Sequence, residues 1–550
     1  GNLRKKMTSS NNACCYDLVV IGAGASGISA AQSFHKTAPD AKFIVLEARE
    51  IIGGRTAPGE RGAGYVDANQ RRVRRVCDDV GLDFYPVYDE GNNFIENTPE
   101  SSIRVYHGTS VPSGLSIRST IDACKFFNSL EKTGCSLHGF DITTASWADP
   151  EVNGTLVELD KYSVADFLTS ITDDEEAIAM CSLALSPVFG ARVSDISLLW
   201  LLFYIKSGTS LNRLLSVKNG AQGLKINSKR GFEEMCLRMA KELPTDAIRC
   251  GCPVSSISHS SEDGLVTVTT KEGQIFTAKR CILALSPSLY QTIEFDPPLP
   301  KPKVELGEAF SGTSSYAKAR VGFSSPWWRE NGCSGQAGSA LSGPASFAID
   351  DVKPKSFFEG DEEGEKTNRY GLVLFISSRE AAAEWRAASD DEQRKTMVCE
   401  QLRHLFRDER AVTECTSYWD FDWDGDDDLA KYTDGCVPLL GPGNLEHWRH
   451  IRTPCWDGNL IFAGTETATI GCGYVDGAIQ SGERAAEDVL MSLNLGSSGY
   501  TEEEPEKHKV EPNNRPFLEM LLFGRMITPE SVARHSFKEK VTTARKSCYF

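Results

Sequence analysis

Three glycines, Gly22, Gly24 and Gly27, lie where an apolar run at 17–21 passes into a helical stretch. At this spacing the first glycine permits a tight turn, the second lets a ligand approach the backbone, and the third lets the helix pack closely on its strand. Glu47 ends a second apolar run, where a carboxylate can accept ribose hydroxyls. We therefore predict a dinucleotide site with its phosphates at the helix N-terminus, and the alternative is a chance glycine-rich turn. The residues assigned to this site are Gly22, Gly24, Ala25, Ser26, Gly27 and Glu47.

The residues after Glu47 indicate which dinucleotide binds. A glycine pair at 53–54 permits close backbone approach, and Arg55 offers a bidentate cation for a second contact with the phosphates. This stretch resembles the extended FAD signature of the flavin amine oxidase superfamily, and the run at 61–67 resembles that family's loop beside the flavin ring. The resemblance implies FAD as the cofactor, and it adds to the cofactor site Arg49, Gly54, Arg55, Gly64 and Tyr65.

The far end of the sequence supplies a second half of the cofactor site. A short apolar strand over 459–463 leads into a turn, and an amphipathic helix is predicted over 474–490. The helix N-terminus carries a partial positive charge, which suits the negative charge of a reduced flavin. This region is very similar to the closing motif of the flavin-containing monoamine oxidases, and the resemblance extends over residues 15–492. It adds to the cofactor site Val254, for which an ordinary core valine is the alternative, and Trp423, Gly464, Thr465, Glu466, Tyr474 and Val475.

Two further residues gain a chemical role from the same resemblance. Cys436 matches the family's cysteine that is joined to the flavin by a thioether, so the resemblance implies covalent FAD, with a coincidental buried thiol as the alternative. Lys318 matches the family's lysine that reaches a flavin nitrogen through a water molecule. Because Tyr316, Lys318 and Arg320 alternate along a predicted strand, a solvated strand face stays open as the alternative.

The substrate side of the site departs from the family pattern. Tyr474 matches one of the two tyrosines that flank the amine in the family's aromatic cage, but the position of its partner holds Val437. Ser207 stands where the family has a glutamine in the cavity. Ring faces attract a cation and align the reacting carbon. We therefore expect a substrate pocket that differs in shape and polarity from that of a typical monoamine oxidase. The alternative to a cage role for Tyr474 is that it is an ordinary core residue.

Taken as a whole, the resemblance implies an enzyme, a flavin-containing (mono)amine oxidase. Such an enzyme converts an amine to an imine, which gives aldehyde and ammonia, while oxygen becomes hydrogen peroxide; the flavin carries this chemistry. Lys318 and Tyr474 are the catalytic residues that the resemblance implies. The alternatives are an L-amino acid oxidase, although we identify no arginine clamp for a substrate carboxylate, a flavin desaturase, and a flavin-bound scaffold without turnover.

The length of 550 residues exceeds what one core usually supports, and the cofactor motifs at both ends of the chain must converge. We therefore predict an α/β fold in which a discontinuous Rossmann-like FAD-binding domain is interleaved with an α+β substrate domain. The FAD-binding domain is assigned 15–89, 206–294 and 415–495, the substrate domain 90–205 and 295–414, and the C-terminal tail 496–550.

Composition limits the partners of the chain. The net charge of −17 disfavours nucleic acid, and the 17 cysteines, an odd number without a CxxC spacing, indicate reduced thiols. The histidines show no metal-ligand spacing, so no metal is expected. The apolar run at 517–527 is shorter than the ~20 residues of a membrane span, so the tail is predicted to lack a transmembrane helix. We expect a soluble, cytoplasmic homodimer acting on a small amine and oxygen, with peripheral membrane association as the alternative to free solution.

Overall fold

The computed structural model describes residues 15–56, 59–96, 103–108, 110, 112–136, 142, 150–208, 210–218, 220–310, 314–377, 379–425 and 430–502. The strands in chain order are β1 (Cys15–Ile21), β2 (Phe43–Leu46), β3 (Phe84–Pro86), β4 (Asn92–Glu96), β5 (Arg104–Tyr106), β6 (Leu224–Ile226), β7 (Ile248–Arg249), β8 (Val254–Ser260), β9 (Leu265–Thr270), β10 (Ile275–Leu283), β11 (Glu294–Asp296), β12 (Ala317–Phe323), β13 (Cys333–Ser339), β14 (Phe347–Asp350), β15 (Tyr370–Ile376), β16 (Cys415–Asp422) and β17 (Leu460–Phe462).

The helices in chain order are α1 (Ala25–Thr37), α2 (Arg71–Asp79), α3 (Ile117–Ser136), α4 (Pro150–Leu159), α5 (Val164–Ile171), α6 (Glu175–Phe189), α7 (Leu198–Ser207), α8 (Leu211–Leu215), α9 (Phe232–Lys241), α10 (Lys301–Phe310), α11 (Trp327–Glu330), α12 (Glu362–Asn368), α13 (Arg379–Arg386), α14 (Asp391–Phe406), α15 (Arg410–Thr413), α16 (Leu445–Trp448) and α17 (Val475–Ser492). Short 3₁₀ helices lie at Gly54–Thr56, Gly59–Arg61, Pro287–Thr292, Lys355–Phe358, Trp456–Gly458 and Thr465–Thr467.

The first sheet is built around the strand that precedes the glycine motif. Its described strands run in the order β11-β8-β9-β10-β1-β2-β7, and β17 also pairs with β10. Strand β1 pairs in parallel with β10 on one side and β2 on the other, and Leu18, Val19 and Val20 are fully buried. Burial on both faces explains why this strand reads as one continuous apolar run.

Helices α1 and α17 pack together on this sheet, so the N-terminal and C-terminal motifs meet. A methyl group on Gly482 of α17 would lie 2.1 Å from the main-chain oxygen of Ser26, which shows how closely the two helices approach. The hydroxyls of Ser26 and Ser481 are 2.8 Å apart across this contact. The prediction of a Rossmann-like unit assembled from distant segments is confirmed.

A second sheet, a two-stranded sheet of β3 and β6, and a helical layer accompany the first sheet. The sheet order is β16-β12-β15-β14-β13-β4-β5, and β12 pairs antiparallel with both β15 and β16. A separate apolar cluster from α3 to α7 surrounds Trp200 and Tyr204. This α+β part confirms the predicted fold class. Strand β16 belongs to the range 415–495 assigned to the cofactor domain, yet it pairs within the second sheet.

Parallel pairing brings the functional segments to one edge of the first sheet. Strands β1, β2 and β17 end just before Gly22, Glu47 and Gly464 respectively, and all three strands run in the same direction. The carboxyl edge of a parallel sheet is where α/β proteins bind their ligands. In the part of the chain that the structure describes, no helix is long and apolar enough to cross a membrane, and no group of His, Cys, Asp or Glu could hold a metal ion. The run at 517–527 lies outside the described residues.

Candidate active site

Glycines form a backbone cradle at the N-terminus of α1. Gly22 has a φ of 99°, and a methyl group there would lie 2.7 Å from the carbonyl oxygen of Ala284. A methyl group on Gly27 would lie 1.9 Å from the oxygen of Gly22, so the turn requires glycine at both positions. Gly54 approaches from the second glycine pair, since a methyl group on it would lie 3.2 Å from the Cα of Gly24. Bare backbone on two sides fits the close approach of a pyrophosphate.

The first turn of α1 is suited to an anion. Gly24 caps the helix without a side-chain hydrogen bond, and the first turn, which begins at Ala25, holds no acidic residue. The first N–H groups of α1 and the positive end of its dipole therefore face the cradle. No cap or acidic side chain in the first turn, which lies within the described residues, offsets this partial positive charge. The hydroxyl of Ser26 is directed elsewhere, because it contacts Ser481 and accepts the Gly464 N–H at 3.1 Å. Ser26 can offer a phosphate its backbone N–H rather than its hydroxyl.

Glu47 is fixed beside the same turn. Its Oε2 accepts the Ala23 N–H at 2.8 Å, and its Oε1 accepts the backbone N–H and the Nε–H of Arg49 at 3.1 and 3.4 Å. Glu47 is 5% exposed at the end of β2. The carboxylate thus lies at the sheet edge where a ribose would be held, and Arg49 holds it in place.

Arg55 joins three distant segments next to the cradle. Its Nη2 lies 2.7 Å from Oε1 of the buried Glu466, and its Nη1 donates to the carbonyl oxygen of Cys436 at 3.4 Å. Burial opposes the charge of Arg55, but the Glu466 carboxylate raises the pKa of the guanidinium, so Arg55 keeps its charge. Gly464 has a φ of 124°, and a methyl group there would lie 3.1 Å from Oε2 of Glu466. The positive φ, together with an equally close Leu285 carbonyl oxygen, favours glycine at this turn.

The N-terminus of α17 is held against the same turn. Thr465 donates its hydroxyl hydrogen to the carbonyl oxygen of Tyr474 at 2.9 Å. Tyr474 is the residue before the helix, Val475 opens it, and no side chain among the described residues caps it. Asp476 lies in the first turn of α17, and its carboxylate accepts the backbone N–H groups of Arg72 and Val73. Contact between this helix N-terminus and the negatively charged end of a flavin stays a prediction.

Tyr474 packs against a second tyrosine. Its ring centre is 5.7 Å from that of Tyr204 on α7, at an interplanar angle of 39°. Burial raises the pKa of Tyr474 to about 12, and a hydrogen bond with Tyr204 opposes that rise. Ser207 accepts the Cys472 N–H at 2.8 Å, so its hydroxyl fixes the loop that leads to Tyr474. Ser207 and Tyr474 line a small pocket that opens to solvent, together with Asp67 and Arg213. Val437 is half-buried against the helical cluster.

Lys318 is buried on β12 and is held by backbone. Its Nζ donates to the carbonyl oxygens of Gly62 at 2.6 Å and Glu60 at 3.1 Å. Burial lowers the pKa of Lys318 to about 8. The alternative of a solvated strand face is wrong, because Lys318 is 5% exposed and Arg320 is 1% exposed. The loop from Gly59 to Gly64 covers this face of the strand.

A buried ion cluster supports that loop. The side chain of Glu60 pairs with Lys225 at 3.1 Å and also with Lys353. Asp351 pairs with Lys225 and Arg320, and it lies 3.9 Å from the Nζ of Lys353. Because Glu60 belongs to both the cluster and the loop, the cluster anchors the carbonyl oxygens that hold the lysine of β12. The five residues come from four segments that lie far apart in the sequence, with Asp351 and Lys353 in the same segment, and no local pattern indicates that the segments meet.

Cys436 lies close to both cations of the site. Burial raises the pKa of its thiol, and the positive charges of Lys318 and Arg55 oppose that rise. Gly435 precedes it with a φ of 88°, so the chain turns sharply at this point. The role of Cys436 at the flavin, including a thioether, stays a prediction.

The remaining predicted residues border this region. A methyl group on Gly64 would lie 3.6 Å from the Nζ of Lys318, so little space separates the loop from the ammonium. The ring of Tyr65 is 6.0 Å from that of Phe375. Trp423 donates its Nε1–H to the carbonyl oxygen of Arg61 at 3.3 Å. Val254 begins β8 and is 8% exposed within an apolar cluster, a position that suits both an adenine contact and the core alternative.

Comparison with known proteins agrees with the geometry. A family model described as flavin containing amine oxidoreductase matches residues 25–490. The chain is 29% identical to a flavin-containing amine oxidase of Danio rerio, over 92% of this chain and 91% of that protein. It is 27% identical to flavin-containing amine oxidase B of Homo sapiens, over 92% of this chain and 93% of that protein.

Solved structures share the fold. Putrescine oxidase with bound putrescine superposes with a TM-score of 0.73 and 23% identity, covering 86% of this chain and 99% of that chain. Cyclohexylamine oxidase from Brevibacterium oxydans IH-35A gives a TM-score of 0.73 and 23% identity, covering 87% and 100%. The match over most of the sequence, together with the glycine cradle, identifies the chain as a member of the flavin-containing amine oxidoreductase family, an FAD-dependent oxidoreductase that acts on amines.

Proposed function

We propose that this enzyme oxidises a small amine to an imine with oxygen as the electron acceptor, and that its FAD is attached through Cys436. One observation carries the proposal: Lys318, Cys436 and Tyr474 come from three distant segments that a chain of contacts joins. The loop at 59–64 holds Lys318, and Arg55, just before that loop, contacts the Cys436 carbonyl oxygen and Glu466. Thr465, next to Glu466, donates to the carbonyl oxygen of Tyr474. Lys318 and Arg55 lie close enough to Cys436 to oppose the rise of its thiol pKa. The run at 61–67, which overlaps this loop, resembles the family's loop beside the flavin ring.

The chain's own residues bind and orient the cofactor and the amine, and they exclude water from the site. The backbone at Gly24 and Gly54 would admit the pyrophosphate, Glu47 the ribose, and the N-terminus of α17 the negatively charged end of the ring system. When bound, FAD supplies the two-electron acceptor. The burial of the side chains around Lys318 keeps water from the reacting atoms, which strengthens every electrostatic interaction there.

Lys318 and Tyr474 have distinct proposed roles. The Nζ of Lys318 has a lowered pKa of about 8, so near neutral pH it can hold or release a proton where oxygen is reduced. Tyr474 presents its ring to the amine, which attracts a cation and limits the orientation of the substrate. The presence of both residues favours turnover over a flavin-bound scaffold.

The proposal is tested with the purified protein and a panel of amines under anaerobic conditions. The panel contains arylalkylamines, putrescine and cyclohexylamine, the last two because the structural relatives are named for them. We expect at least one amine to bleach the flavin absorbance, and hydrogen peroxide to appear in equal amount when oxygen is admitted. Bleaching by L-amino acids and by no amine would contradict the proposal. A homodimer and a cytoplasmic location stay predictions, to be checked by light scattering and by cell fractionation.

A further inference from the structure

The segment at 314–316 lies directly against the segment that carries Cys436. Ser314 donates its hydroxyl hydrogen to the carbonyl oxygen of Val437 at 2.9 Å. A methyl group on Gly435 would lie 3.4 Å from the Oγ of Ser314. Tyr316 follows two residues after Ser314 and precedes Lys318 by two residues on β12. The chain leading into Tyr316 therefore runs beside Val437, the position where the family pattern expects a second ring.

The ring of Tyr316 is held in a fixed place. Its centre lies 6.0 Å from that of Phe375 on β15, at an interplanar angle of 55°. A methyl group on Gly190 would lie 2.8 Å from the Cδ2 of Tyr316, and Gly190 has a φ of 62°, so glycine at that helix end leaves room for the ring. The carbonyl oxygen of Tyr316 accepts the backbone N–H of Trp423 at 3.0 Å. Neighbours on two sides thus define the ring position.

The surroundings of the hydroxyl are those of the proposed active site. Burial raises the pKa of Tyr316, and the neighbouring Cys436, Tyr65 and Tyr474 raise it further. Tyr316 nevertheless keeps part of its surface accessible, whereas Ser315 and Ala317 on either side of it are buried. A partly accessible ring among these groups is available to a ligand.

We propose that Tyr316 supplies the second aromatic wall beside Tyr474, in place of a ring at position 437, and that it positions the amine substrate. The inference rests on the proposed function. One ring from the residue before β12 and one from the turn before α17 would hold the amine between π faces, and each face attracts a cationic amine. The chain would thus keep two aromatic walls although one of them comes from a different strand.

The test replaces the ring and measures flavin reduction. In Tyr316→Leu we expect the limiting rate of anaerobic reduction by the best amine to fall about 10- to 100-fold, since misalignment of a bound substrate costs that much. Flavin content and absorbance spectrum should stay as in the wild type. Tyr316→Phe keeps the ring, so its rate should stay within about threefold of the wild-type rate. Tyr370→Leu removes a tyrosine from the far end of the β12–β15 pair and should leave the rate unchanged.

A double-variant measurement adds a second check. The substitution Val437→Tyr places a ring where the family pattern has one. If that ring and the ring of Tyr316 form the same wall of the amine site, Val437→Tyr should raise the rate of flavin reduction more in the Tyr316→Leu background than in the wild type. Equal effects in the two backgrounds, or an unchanged rate in Tyr316→Leu, would overturn the inference. Should Tyr316→Leu lose its flavin, Tyr316→Met carries the same comparison. Failure of the proposed function would appear differently, as a wild-type protein that no amine reduces.

Discussion

The Nζ of Lys318 lies 2.6 Å from the carbonyl oxygen of Gly62. The position of the ammonium is therefore set by the backbone of the loop at 59–64, which follows the glycine pair at 53–54 and does not belong to the sheet that contains Lys318. Gly62 itself has no space for a side chain, because a methyl group there would lie 2.6 Å from the carbonyl carbon of Thr56. The loop, the lysine and the turn after the glycine pair therefore form one packed unit.

Gly62→Ala should disturb this unit. We expect the loop to shift, the contact with Lys318 to lengthen, and the rate at which oxygen reoxidises the amine-reduced protein to fall about tenfold or more. Stopped-flow measurement of reoxidation gives the rate. Gly154→Ala serves as the control, since nothing lies within 4 Å of a methyl group there. Identical reoxidation in both variants would show that the loop does not set the position of the lysine.

The proton on Lys318 should appear in a pH profile. Because burial lowers its pKa to about 8, the lysine is mainly charged below that pH and neutral above it. We expect the reoxidation rate to change through an apparent pKa near 8, and to be higher on the acidic side, where the cation attracts developing negative charge. Lys318→Met should be slow at all pH values, and Lys318→Arg should lack the transition. A transition of the same size in Lys318→Met would assign it to another group.

Cys436→Ala should release the flavin. With the thioether present, acid precipitation leaves the yellow colour in the wild-type pellet, whereas the variant should lose it to the supernatant. Cys415→Ala removes another partly buried thiol and should keep the colour in the pellet. Free release of flavin from the wild type would mean that Cys436 is an ordinary thiol.

Glu60→Gln should destabilise the fold. The substitution leaves Lys225 and Lys353 with Asp351 as the remaining anion of the buried ion cluster, and loss of one partner of a buried pair costs about 3–5 kcal/mol. We expect a clear fall in the melting temperature measured by flavin fluorescence. Glu363→Gln is a matched control on an exposed pair and should change stability by less than about 1 kcal/mol. Equal melting temperatures would mean that solvent reaches the cluster.

Lys303 should make stability depend on pH. Its Nζ donates to the Ile451 carbonyl oxygen at 2.8 Å, and burial lowers its pKa to about 7. The unfolded chain keeps a lysine pKa of about 10.4 and so binds more protons between about pH 7 and 10, which means that this residue's contribution to stability rises with pH. Lys303→Met should remove that rise in thermal unfolding, whereas Lys301→Met on the exposed side of α10 should retain it. If melting temperature changed with pH in the same way in both variants, Lys303 would not be the source of the pH dependence.

The sequence alone determined the cofactor class because the information is local. The clash between a methyl group on Gly27 and the oxygen of Gly22 arises within one turn between a strand and a helix, so spacing along the chain expresses it directly. The family resemblance extended the same local signals to the second glycine pair and to the closing helix. For the same reason the Rossmann-like unit and its α+β partner could be predicted.

The surroundings of the residues assigned to the substrate pocket depend on how distant segments pack. Strand alternation places Tyr316 and Lys318 on one face but does not reveal that the loop at 59–64 covers it. The cluster around Glu60 and the contact between Ser314 and Val437 join residues that are far apart in the sequence, and no periodicity records such contacts. Burial of charge and placement of a ring depend on which segments pack together, and packing is a property of the folded chain.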